Sequence, residues 1–293
     1  MICSTLHGES VVLRILDRSS IVVNLDTLGF PADTLDQFDK LINKPYGMIL
    51  VTGPTGSGKT TSLYAAISHL KSLEKNIVTI EDPVEYQLDI INQNQVNDAI
   101  GLTFPKILKH ALRQDPDIIM IGEIRDRQTA EIAVQAALTG HLVLTTLHTN
   151  DTLGAVARLV EMGVEPYLLS SALIGVMAQR LVRRVCQGCK TSYLAPPEAA
   201  AAYRWKGEGD LRLTRGRGCP ACYDSGYKGR MGIYEMLEID SELQRMIVAN
   251  ASKEAMQALV AGRGHRDLYA DGMERAFEGA TTPQEIARVV NSL

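Results

Sequence analysis

The sequence predicts an α/β fold in which helices pack against a parallel sheet. Between residues 46 and 180, short apolar runs typical of strands buried on both faces alternate with helical patterns. A glycine-rich loop connects the first of these runs to a helix. After residue 180 the pattern becomes rich in loops around four cysteines, and from about Ser241 it is helical again. These changes predict a core followed by two smaller regions.

The composition argues against some classes of protein. The 293 residues suffice for one large or two modest domains, and their formal net charge is -4 with a sequence pI of about 5.9. That balance offers no broad basic surface for a phosphate backbone, so we expect no direct nucleic-acid partner. The sequence also has no run of 18 or more apolar residues and no leader-like beginning. We therefore expect a cytoplasmic protein that contacts a membrane only through partners.

We interpret residues 1–30 as the end of a larger N-terminal domain. The run VVLRIL at residues 11–16 predicts one strand, and residues 21–25 predict a second. Two strands do not make an independent domain, so we expect a longer region to precede them. Residues 29–47, which start and end with glycine and proline, predict a short helix.

Residues 31–180 form the predicted core. Its strands are four apolar runs, MILVT at 48–52, NIVTI at 76–80, DIIMIG at 117–122 and HLVLTTL at 141–147. Residues 181–235 contain the cysteines and form a predicted metal-binding subdomain. Residues 236–293 form a predicted C-terminal helical region.

The loop after the first strand has the spacing of a phosphate-binding loop. Four residues separate Gly53 from Gly58, and Lys59 and Thr60 follow before a helix with an apolar face. Glycines let backbone N–H groups turn toward a phosphate, the lysine neutralises the β and γ oxygens, and the threonine offers its hydroxyl to Mg²⁺. We therefore predict ATP or GTP as the ligand. The predicted binding residues are Gly53, Pro54, Thr55, Gly56, Ser57, Gly58, Lys59, Thr60 and Thr61.

Polar residues follow the three other predicted strands, at the sheet edge where ligands of parallel sheets bind. These residues are Glu81, Asp82 and Glu85 after NIVTI, Glu123 and Arg125 after DIIMIG, and His148 after HLVLTTL. Two carboxylate clusters beside a phosphate are expected if one organises water on the metal and the other orients the attacking water. Taken singly, each carboxylate could equally be a helix cap or a solvated loop acid. His141 precedes its strand, so we expect it at the opposite end of the sheet.

Four motifs in this order carry a family resemblance. They are GPTGSGKTT, TIEDPVEY, LRQDPDIIMIGEIRD and TGHLVLTTLHTND. They closely resemble the Walker A loop, the aspartate box, an atypical Walker B motif and the histidine box of the ATPases of type II secretion and type IV pilus assembly. The stretches LHGESVVLRILDR and GYKGRMGIYEML extend the resemblance over essentially the whole chain.

The resemblance implies a RecA-like P-loop NTPase core that hydrolyses ATP with Mg²⁺. It also implies a homo-hexamer that acts on an inner-membrane platform protein, in the cytoplasm at the periphery of that membrane. Lys59 and Thr60 are then expected to hold phosphate and magnesium, Glu123 to organise a water on the magnesium, and His148 to sense the γ-phosphate. Arg14 matches a family arginine that reaches the nucleotide from the N-terminal domain. The alternatives to it are Arg113 and Arg125, which flank the third apolar run.

Either Glu85 or Glu81 positions the attacking water. Glu81 directly follows its strand and is held close to the sheet. Glu85 lies beyond Pro83, whose fixed φ turns the chain outward. We favour Glu85 for the water and Glu81 for a supporting role.

The cysteines predict a structural metal site. Cys186 and Cys189 form one C-x-x-C pair, and after 29 intervening residues Cys219 and Cys222 form another. Four thiolates at this spacing suit tetrahedral Zn²⁺ with no open position, although free buried thiols are the alternative. The resemblance favours zinc, because assembly and export members of the family carry such a cysteine insertion and retraction members generally lack it. Cys3 is left over as an inert thiol.

Other functions remain as alternatives at this stage. A RecA-type nucleic-acid translocase would share the phosphate-binding loop, and a scaffold that binds nucleotide without hydrolysis would share it too. Within the resembling family, machines that secrete proteins, assemble pili or assemble a pseudopilus for DNA uptake carry the same motifs. The sequence does not distinguish between these machines.

Overall fold

The computed structural model describes residues 2–11, 24–207 and 209–290 of the chain. The strands are β1 (Ile2–Thr5), β2 (Gly8–Val11), β3 (Gly47–Thr52), β4 (Ile77–Glu81), β5 (Asn92–Gln95), β6 (Ile118–Ile121), β7 (Leu142–Leu147), β8 (Leu173–Val185), β9 (Lys190–Leu194), β10 (Arg212–Gly216) and β11 (Tyr227–Glu238). The α-helices are α1 (Ala32–Ile42), α2 (Lys59–Leu70), α3 (Phe104–Ala111), α4 (Arg127–Leu138), α5 (Thr152–Glu161), α6 (Pro166–Ala172), α7 (Pro197–Ala202), α8 (Ser241–Val248), α9 (Lys253–Gly262), α10 (Leu268–Phe277) and α11 (Pro283–Val290).

A seven-stranded sheet in the described residues organises the molecule. Its strand order is β11-β8-β3-β7-β6-β4-β5. All neighbouring pairs are parallel except β11 and β8, which are antiparallel. The carboxyl ends of β3, β4, β6 and β7 therefore lie along one edge of the sheet, which is where ligands bind in folds of this kind.

Two hydrophobic cores lie on opposite faces of the sheet. Ile49 and Val51 of β3 pack with side chains of α1 and α2 on one face. Met48 and Leu50 pack with α3, α4, α5 and α6 on the other. Alternation along the strand explains this division, because successive side chains point to opposite faces. Burying each of these aliphatic side chains is worth about 1.5–3 kcal/mol.

The four apolar runs form β3, β4, β6 and β7, and every residue of these strands is buried. The predicted parallel core is thus confirmed. Three further strands of the sheet were not predicted. β5 has the polar sequence NQNQ and lies at the sheet edge, where backbone pairing with β4 suffices. β8 and β11 contain charged residues among apolar ones, which hides the strand pattern.

The cysteine segment and the C-terminal region adjoin the sheet through these long strands. β8 runs across the proposed boundary after residue 180, and β11 runs across the one after residue 235. Between them, β9 and β10 pair as a small antiparallel sheet. The predicted C-terminal helices are α8 to α11, and α10 and α11 pack on the outer parts of β8 and β11.

The N-terminal region is described only in part. β1 and β2 form an antiparallel hairpin, and α1 is the helix expected between residues 29 and 47. The predicted strand at 11–16 lies outside the described residues except for Val11, which ends β2. Of the second predicted strand, Leu25 begins a short 3-10 helix (Leu25–Thr27) instead. No helix in the described parts of the chain is both long and apolar enough to cross a bilayer.

Candidate nucleotide site and cysteine cluster

The glycine-rich loop connects the end of β3 to the start of α2, as the sequence predicts. Gly53, Gly56 and Gly58 have φ values of 153°, 78° and 92°, a region that residues with a side chain rarely adopt. A Cβ atom at Gly53 would lie 2.5 Å from the carbonyl oxygen of Gln179, and one at Gly58 would lie 2.8 Å from the Gln179 Nε2 atom. The loop therefore needs glycine both for its curvature and for its close approach to β8.

Lys59 is the first residue of α2, directly after this loop, and is only 8% exposed. Its Nζ donates hydrogen bonds to the carbonyl oxygens of Gly53, at 2.8 Å, and Pro54, at 3.1 Å. Burial lowers the pKa of Lys59, and the nearby cation of Arg180 lowers it further. The carboxylate of Glu123 has the opposite effect but does not offset them. The buried hydroxyl of Ser57 has no hydrogen-bond partner in the described residues. This arrangement suits a phosphate group, because it combines a cation, a hydroxyl without a hydrogen-bond partner and a curved loop at the start of a helix.

A cleft of about 890 Å³ opens beside the loop at the carboxyl edge of the sheet. It brings together the loop and residues from β4, β6, β7 and β11. Predicted site residues in its lining are Thr55, Gly56, Ser57, Gly58, Lys59, Thr60, Thr61, Glu81, Glu85, Glu123 and His148. The strand ends thus bring residues as far apart in the sequence as Thr55 and His148 into the lining of one cleft.

Glu123 is the centre of a charged cluster in this cleft. Its carboxylate accepts hydrogen bonds from the guanidinium of Arg125 and, at 3.2 Å, from Nε2 of His148. Arg125 also donates to Asp82 at 3.0 Å. Burial opposes ionisation of Glu123, but the bond and charge of Arg125 and the charge of His148 outweigh it and lower its pKa. Glu123 therefore remains a carboxylate at neutral pH.

The two candidate water-positioning glutamates have different surroundings. Glu81 is 2% exposed and accepts bonds from the hydroxyls of Tyr64 and Thr79 and from Nε2 of Gln93. Glu85 is half-buried at the cleft wall, and its carboxylate has no hydrogen-bond partner in the described residues. Three donors around a buried carboxylate hold it in place, whereas a free carboxylate can bond a water.

Tyr64 connects these two positions. Its hydroxyl donates to Glu81 and accepts the backbone N–H of Glu85 at 3.3 Å. Its ring packs edge-on against Tyr86, with ring centroids 4.5 Å apart. Burial, with the neighbouring Glu81 carboxylate, raises the pKa of Tyr64, so the hydroxyl keeps its proton and remains a donor. The loop that carries Glu85 is thereby tied to α2.

Some predicted residues lie elsewhere. His141 precedes β7, and its Nδ1 is 2.9 Å from the carbonyl oxygen of Ala136, at the end of the sheet away from the cleft. Of the two alternative arginines, Arg125 lines the cleft. Arg113 follows the C-terminal end of α3 and does not line the cleft. Arg14 lies outside the described residues.

The structure also adds residues that sequence reasoning missed. Arg230 of β11 lines the cleft, and Gln179 and Arg180 of β8 pack behind the phosphate-binding loop. Gln179 Oε1 accepts a hydrogen bond of 2.8 Å from the hydroxyl of Ser62 in α2. The only sequence signal for Gln179 and Arg180 is that they form a polar pair within the apolar run VMAQRLV, because no local pattern shows that β8 lies beside β3.

The four predicted cysteines converge in space. The sulfur atoms of Cys186, Cys189, Cys219 and Cys222 all lie within 4.8 Å of one another. The sulfur atoms of Cys186 and Cys219 are 3.8 Å apart, those of Cys189 and Cys222 are 3.9 Å apart, and those of Cys219 and Cys222 are 3.6 Å apart. Sulfur atoms about 2.3 Å from a central Zn²⁺ in a tetrahedron would be about 3.8 Å apart, so the cluster fits zinc.

A family model described as type II/IV secretion system protein matches residues 3–288. The chain belongs to this family. The resemblance that the four motifs carry is thereby confirmed. The match extends through the cysteine segment and the C-terminal helices as well as the residues that line the cleft.

Two relatives illustrate the range of this family. The type II secretion system ATPase E of Vibrio cholerae serotype O1 is 49% identical over 283 residues, which are 97% of this chain and 56% of that protein. The type IV pilus assembly ATPase PilB of Thermus thermophilus is 47% identical over 285 residues, 96% of this chain and 32% of that protein. The chain therefore spans little more than half the length of the first and about a third of the second.

Two solved structures share the fold of this chain. The crystal structure of the pilus retraction motor PilT with bound ADP has a TM-score of 0.72 and 27% identity, and the match covers 98% of this chain and 72% of that one. The ATPase DotB of Legionella pneumophila has a TM-score of 0.68 and 22% identity over 92% of this chain. The α/β class with a mostly parallel sheet is thus supported by both sequence and structure.

Proposed function

We propose that this chain is the ATPase part of a motor that couples MgATP hydrolysis to type II protein secretion or type IV pilus assembly. The observation that carries the proposal is the convergence of the phosphate-binding loop with Glu123, His148 and two arginines in one cleft. Phosphoryl transfer depends mainly on positioning and on charge neutralisation, which such a cleft can provide. The names of the relatives indicate the process in which the motor acts.

Lys59 binds the β and γ oxygens in this proposal. Its ammonium exchanges the carbonyl oxygens of Gly53 and Pro54 for the more strongly charged phosphate oxygens. Arg230 on the cleft wall adds a second cation, and the amides of the loop supply further donors. The lowered pKa of Lys59 reflects a partly desolvated cation, and a bound phosphate offsets that cost.

Thr60 and Glu123 are the residues that would hold magnesium, Thr60 through its hydroxyl and Glu123 through a water. The ion, when bound, neutralises charge on the β and γ phosphates. Thr60 lies in the first turn of α2, directly after Lys59. Glu123 suits its part because its pKa is lowered and it remains charged.

Glu85 positions the attacking water and accepts its proton. A general base needs a carboxylate with free lone pairs, and no described residue bonds that of Glu85. Glu81 instead anchors the loop through Tyr64, whose hydroxyl it shares with the Glu85 backbone. His148 bonds Glu123 and faces the same cleft, so it can report whether a γ-phosphate is present.

We further propose that six copies form a ring at the cytoplasmic side of the inner membrane, where the ring acts on a platform protein. In this arrangement Arg14 neutralises charge on the nucleotide, and Arg125 is the alternative. The tetracysteine cluster binds zinc and stiffens the segment between β8 and β11. A DNA-uptake pseudopilus is a third possible machine, since its ATPase carries the same motifs.

The change Lys59→Ala tests the proposal. It removes the principal cation from the β and γ oxygens, so we expect turnover to fall at least about 10²-fold and nucleotide affinity to fall as well. Phosphate release and ATP binding are measured on the same preparations, with Lys71→Ala just beyond α2 as the control. Hydrolysis near the wild-type rate in Lys59→Ala would place the phosphate site elsewhere.

The same assay separates the rival functions. A scaffold would bind ATP without releasing phosphate at any protein concentration. A nucleic-acid translocase would hydrolyse ATP faster when single- or double-stranded DNA is added, whereas a secretion motor would not. We expect phosphate release that DNA leaves unchanged.

A further inference from the structure

Arg180 is a buried cation without an acidic partner. It belongs to β8, is 4% exposed, and has no carboxylate oxygen within 4 Å among the residues that the structure describes. Burial lowers its pKa, while Asp151 and Glu235 at longer range favour the charged form. A guanidinium is charged at any relevant pH. Burying a charge without an opposite charge beside it costs folding free energy. The presence of Arg180 at this position therefore needs an explanation other than packing.

The contacts of Arg180 join two functional loops. Its Nη2 donates to the backbone oxygen of Asn150 at 2.9 Å and to the Asn150 side chain at 3.3 Å. Its Nη1 donates to the Gln179 carbonyl at 3.2 Å, and a Cβ atom added to Gly53 would be only 3.1 Å from Nη1. The guanidinium therefore lies between the first residue of the phosphate-binding loop and the segment after His148.

That segment, residues 149–152, is held by four different elements. Thr149 bonds Thr52 at the end of β3, and Asn150 bonds Arg180 of β8. The other two bonds link Asp151 to Lys253 of α9, at 2.7 Å, and Thr152 to Glu235 of β11. Residues 149–152 thus connect the nucleotide cleft with the C-terminal helices, and Arg180 provides the charged link to the phosphate-binding loop.

We propose that Arg180 is a positioning residue that couples phosphate binding at Gly53–Lys59 to the placement of residues 149–152 and hence of His148. The positive charge of Arg180 adds to the electrostatic attraction that Lys59 exerts on an anion in the loop. The planar guanidinium of Arg180 also holds Asn150 through two hydrogen bonds. When the phosphate-binding loop closes on an anion, Arg180 transmits the change to residues 149–152. This inference rests on the proposed nucleotide site, but it does not depend on hydrolysis.

Hydrogen exchange with ADP as the probe tests the coupling. Saturating ADP should slow exchange in residues 149–152 of the wild type by at least about fivefold. Arg180→Lys keeps the positive charge but loses the planar guanidinium with its several N–H donors. In this variant ADP should still protect residues 53–60 but leave residues 149–152 unprotected. The control is Arg275→Lys, because Arg275 is also largely buried, donates to a carbonyl oxygen, that of Gly29 at 2.8 Å, and lies outside the cleft.

A second variant covers the case in which Arg180→Lys is unstable. Asn150→Ala removes only the side-chain acceptor from an exposed residue, and we expect about half of the ADP-dependent protection to remain. Protection of 149–152 in Arg180→Lys equal to the wild type, or its absence in the wild type with ADP bound, would overturn the proposal.

Turnover gives an independent readout. If the chain hydrolyses ATP, Arg180→Lys should lower kcat about tenfold and change KM less than about twofold, since the substrate still binds. The loss should nearly disappear when His148 is already alanine, because both changes act on one element. Equal losses in the two backgrounds would contradict a role through His148. A wild type without turnover would count against the proposed function alone, since the ADP experiment would still decide on Arg180.

Discussion

Charge and hydrogen bonding decide what individual side chains in the cleft can do. Glu81 and Glu85 are four residues apart and chemically identical, yet one is surrounded by three donors and the other by none in the described residues. A buried, fully bonded carboxylate resists any change in its protonation or position, because each lost bond exposes an unsatisfied group. At the residue scale, function is therefore set by the neighbours of a side chain.

The pair Glu81→Gln and Glu85→Gln tests this difference. Glu85→Gln should keep ATP affinity within about threefold and lower kcat by about 10²–10⁴-fold, because it removes the base and keeps the volume. Glu81→Gln replaces one carboxylate oxygen by an NH₂ group, which then faces either the Tyr64 hydroxyl or the Thr79 hydroxyl and the Gln93 amide, so it should lower stability by about 1–3 kcal/mol. ATP titration, steady-state kinetics and denaturant unfolding are measured for both.

The assignment would be reversed by a particular combination of results. That combination is a stable Glu81→Gln variant that binds ATP without turnover beside a Glu85→Gln variant with near-wild-type turnover. Glu74→Gln, outside the cleft, serves as the control for the loss of one surface charge.

At the scale of secondary-structure elements, β8 connects several parts of the molecule. It pairs with β3 on one side and β11 on the other, contributes Gln179 and Arg180 to the back of the phosphate-binding loop, and continues to Cys186. Its outer half is tied to α11, where Glu285 accepts bonds from the backbone and side chain of Arg183. The nucleotide cleft, the cysteine cluster and the C-terminal helices thus share one strand.

Glu285 makes the attachment of α11 dependent on pH. Burial alone would raise its pKa, but hydrogen bonds from Arg288 and Arg183 lower the value to about 2, below the ordinary 4.5. Because the folded pKa is the lower one, the stabilisation is complete above about pH 4.5 and is lost as the pH falls toward 2. We expect Glu285→Gln to cost about 2 kcal/mol at pH 7.

The measurement is urea unfolding of wild type and Glu285→Gln between pH 7 and pH 3. The difference in unfolding free energy should shrink steadily below about pH 4.5. The exposed Glu278→Gln serves as the control and should show no such trend. A difference between wild type and Glu285→Gln that stays constant down to pH 3 would contradict the ion pairs described for α11.

The cysteine cluster predicts a metal content. Purified protein should contain about one zinc per chain, since four thiolates close the coordination shell. Removal with a chelator should increase proteolysis within residues 181–235 while nucleotide binding persists, because the cleft is formed mainly by the core strands. Elemental analysis and limited proteolysis report these quantities.

The cysteine variants sharpen the test. Cys222→Ser should lose zinc, whereas Cys3→Ser, which changes a cysteine of neither C-x-x-C pair, should keep it. Unchelated protein without zinc and with four titratable thiols at these positions would refute the site.

At the scale of the whole molecule, the loop between β3 and α2 and Arg230 of β11 line one cleft although they are far apart in the sequence. Arg125 and Arg230 are the arginines that line it in the described residues. In the proposed assembly, Arg14 would be a further cation, delivered from another domain or a neighbouring copy. The chain spans 56% of the length of its Vibrio relative, so the properties of the complete assembly are proposals.

Shared charge neutralisation predicts that activity depends on assembly. Specific activity should rise with protein concentration as rings form, and Arg14→Ala should lower kcat more than it raises KM. Phosphate release and sedimentation are followed over a hundredfold range of concentration, with Arg212→Ala at an exposed position of β10 as the matched control. A constant specific activity from a monomer would exclude shared catalysis.

Local patterns in the sequence predicted the parts of the fold that depend on nearby residues. The strands β3, β4, β6 and β7 are apolar because they are buried on both faces, and the glycines of 53–58 reveal the loop because few other residues can adopt its backbone. β5, β8 and β11 escaped prediction because their stability comes from pairing with strands distant in the sequence. The same holds for Arg180 and Arg230, which reach the site only through those pairings.

By itself, the sequence determined the α/β class, the glycine-rich loop between β3 and α2, the carboxylates at the strand ends, the four cysteines and the family. Each of these depends on residue type at short spacing, which the chain displays directly. The tertiary structure decided that Glu81 is enclosed while Glu85 is free, that His148 reaches Glu123 and that β8 passes behind the loop. Strand order and side-chain environment arise from contacts between distant segments, and no local spacing of residues encodes them.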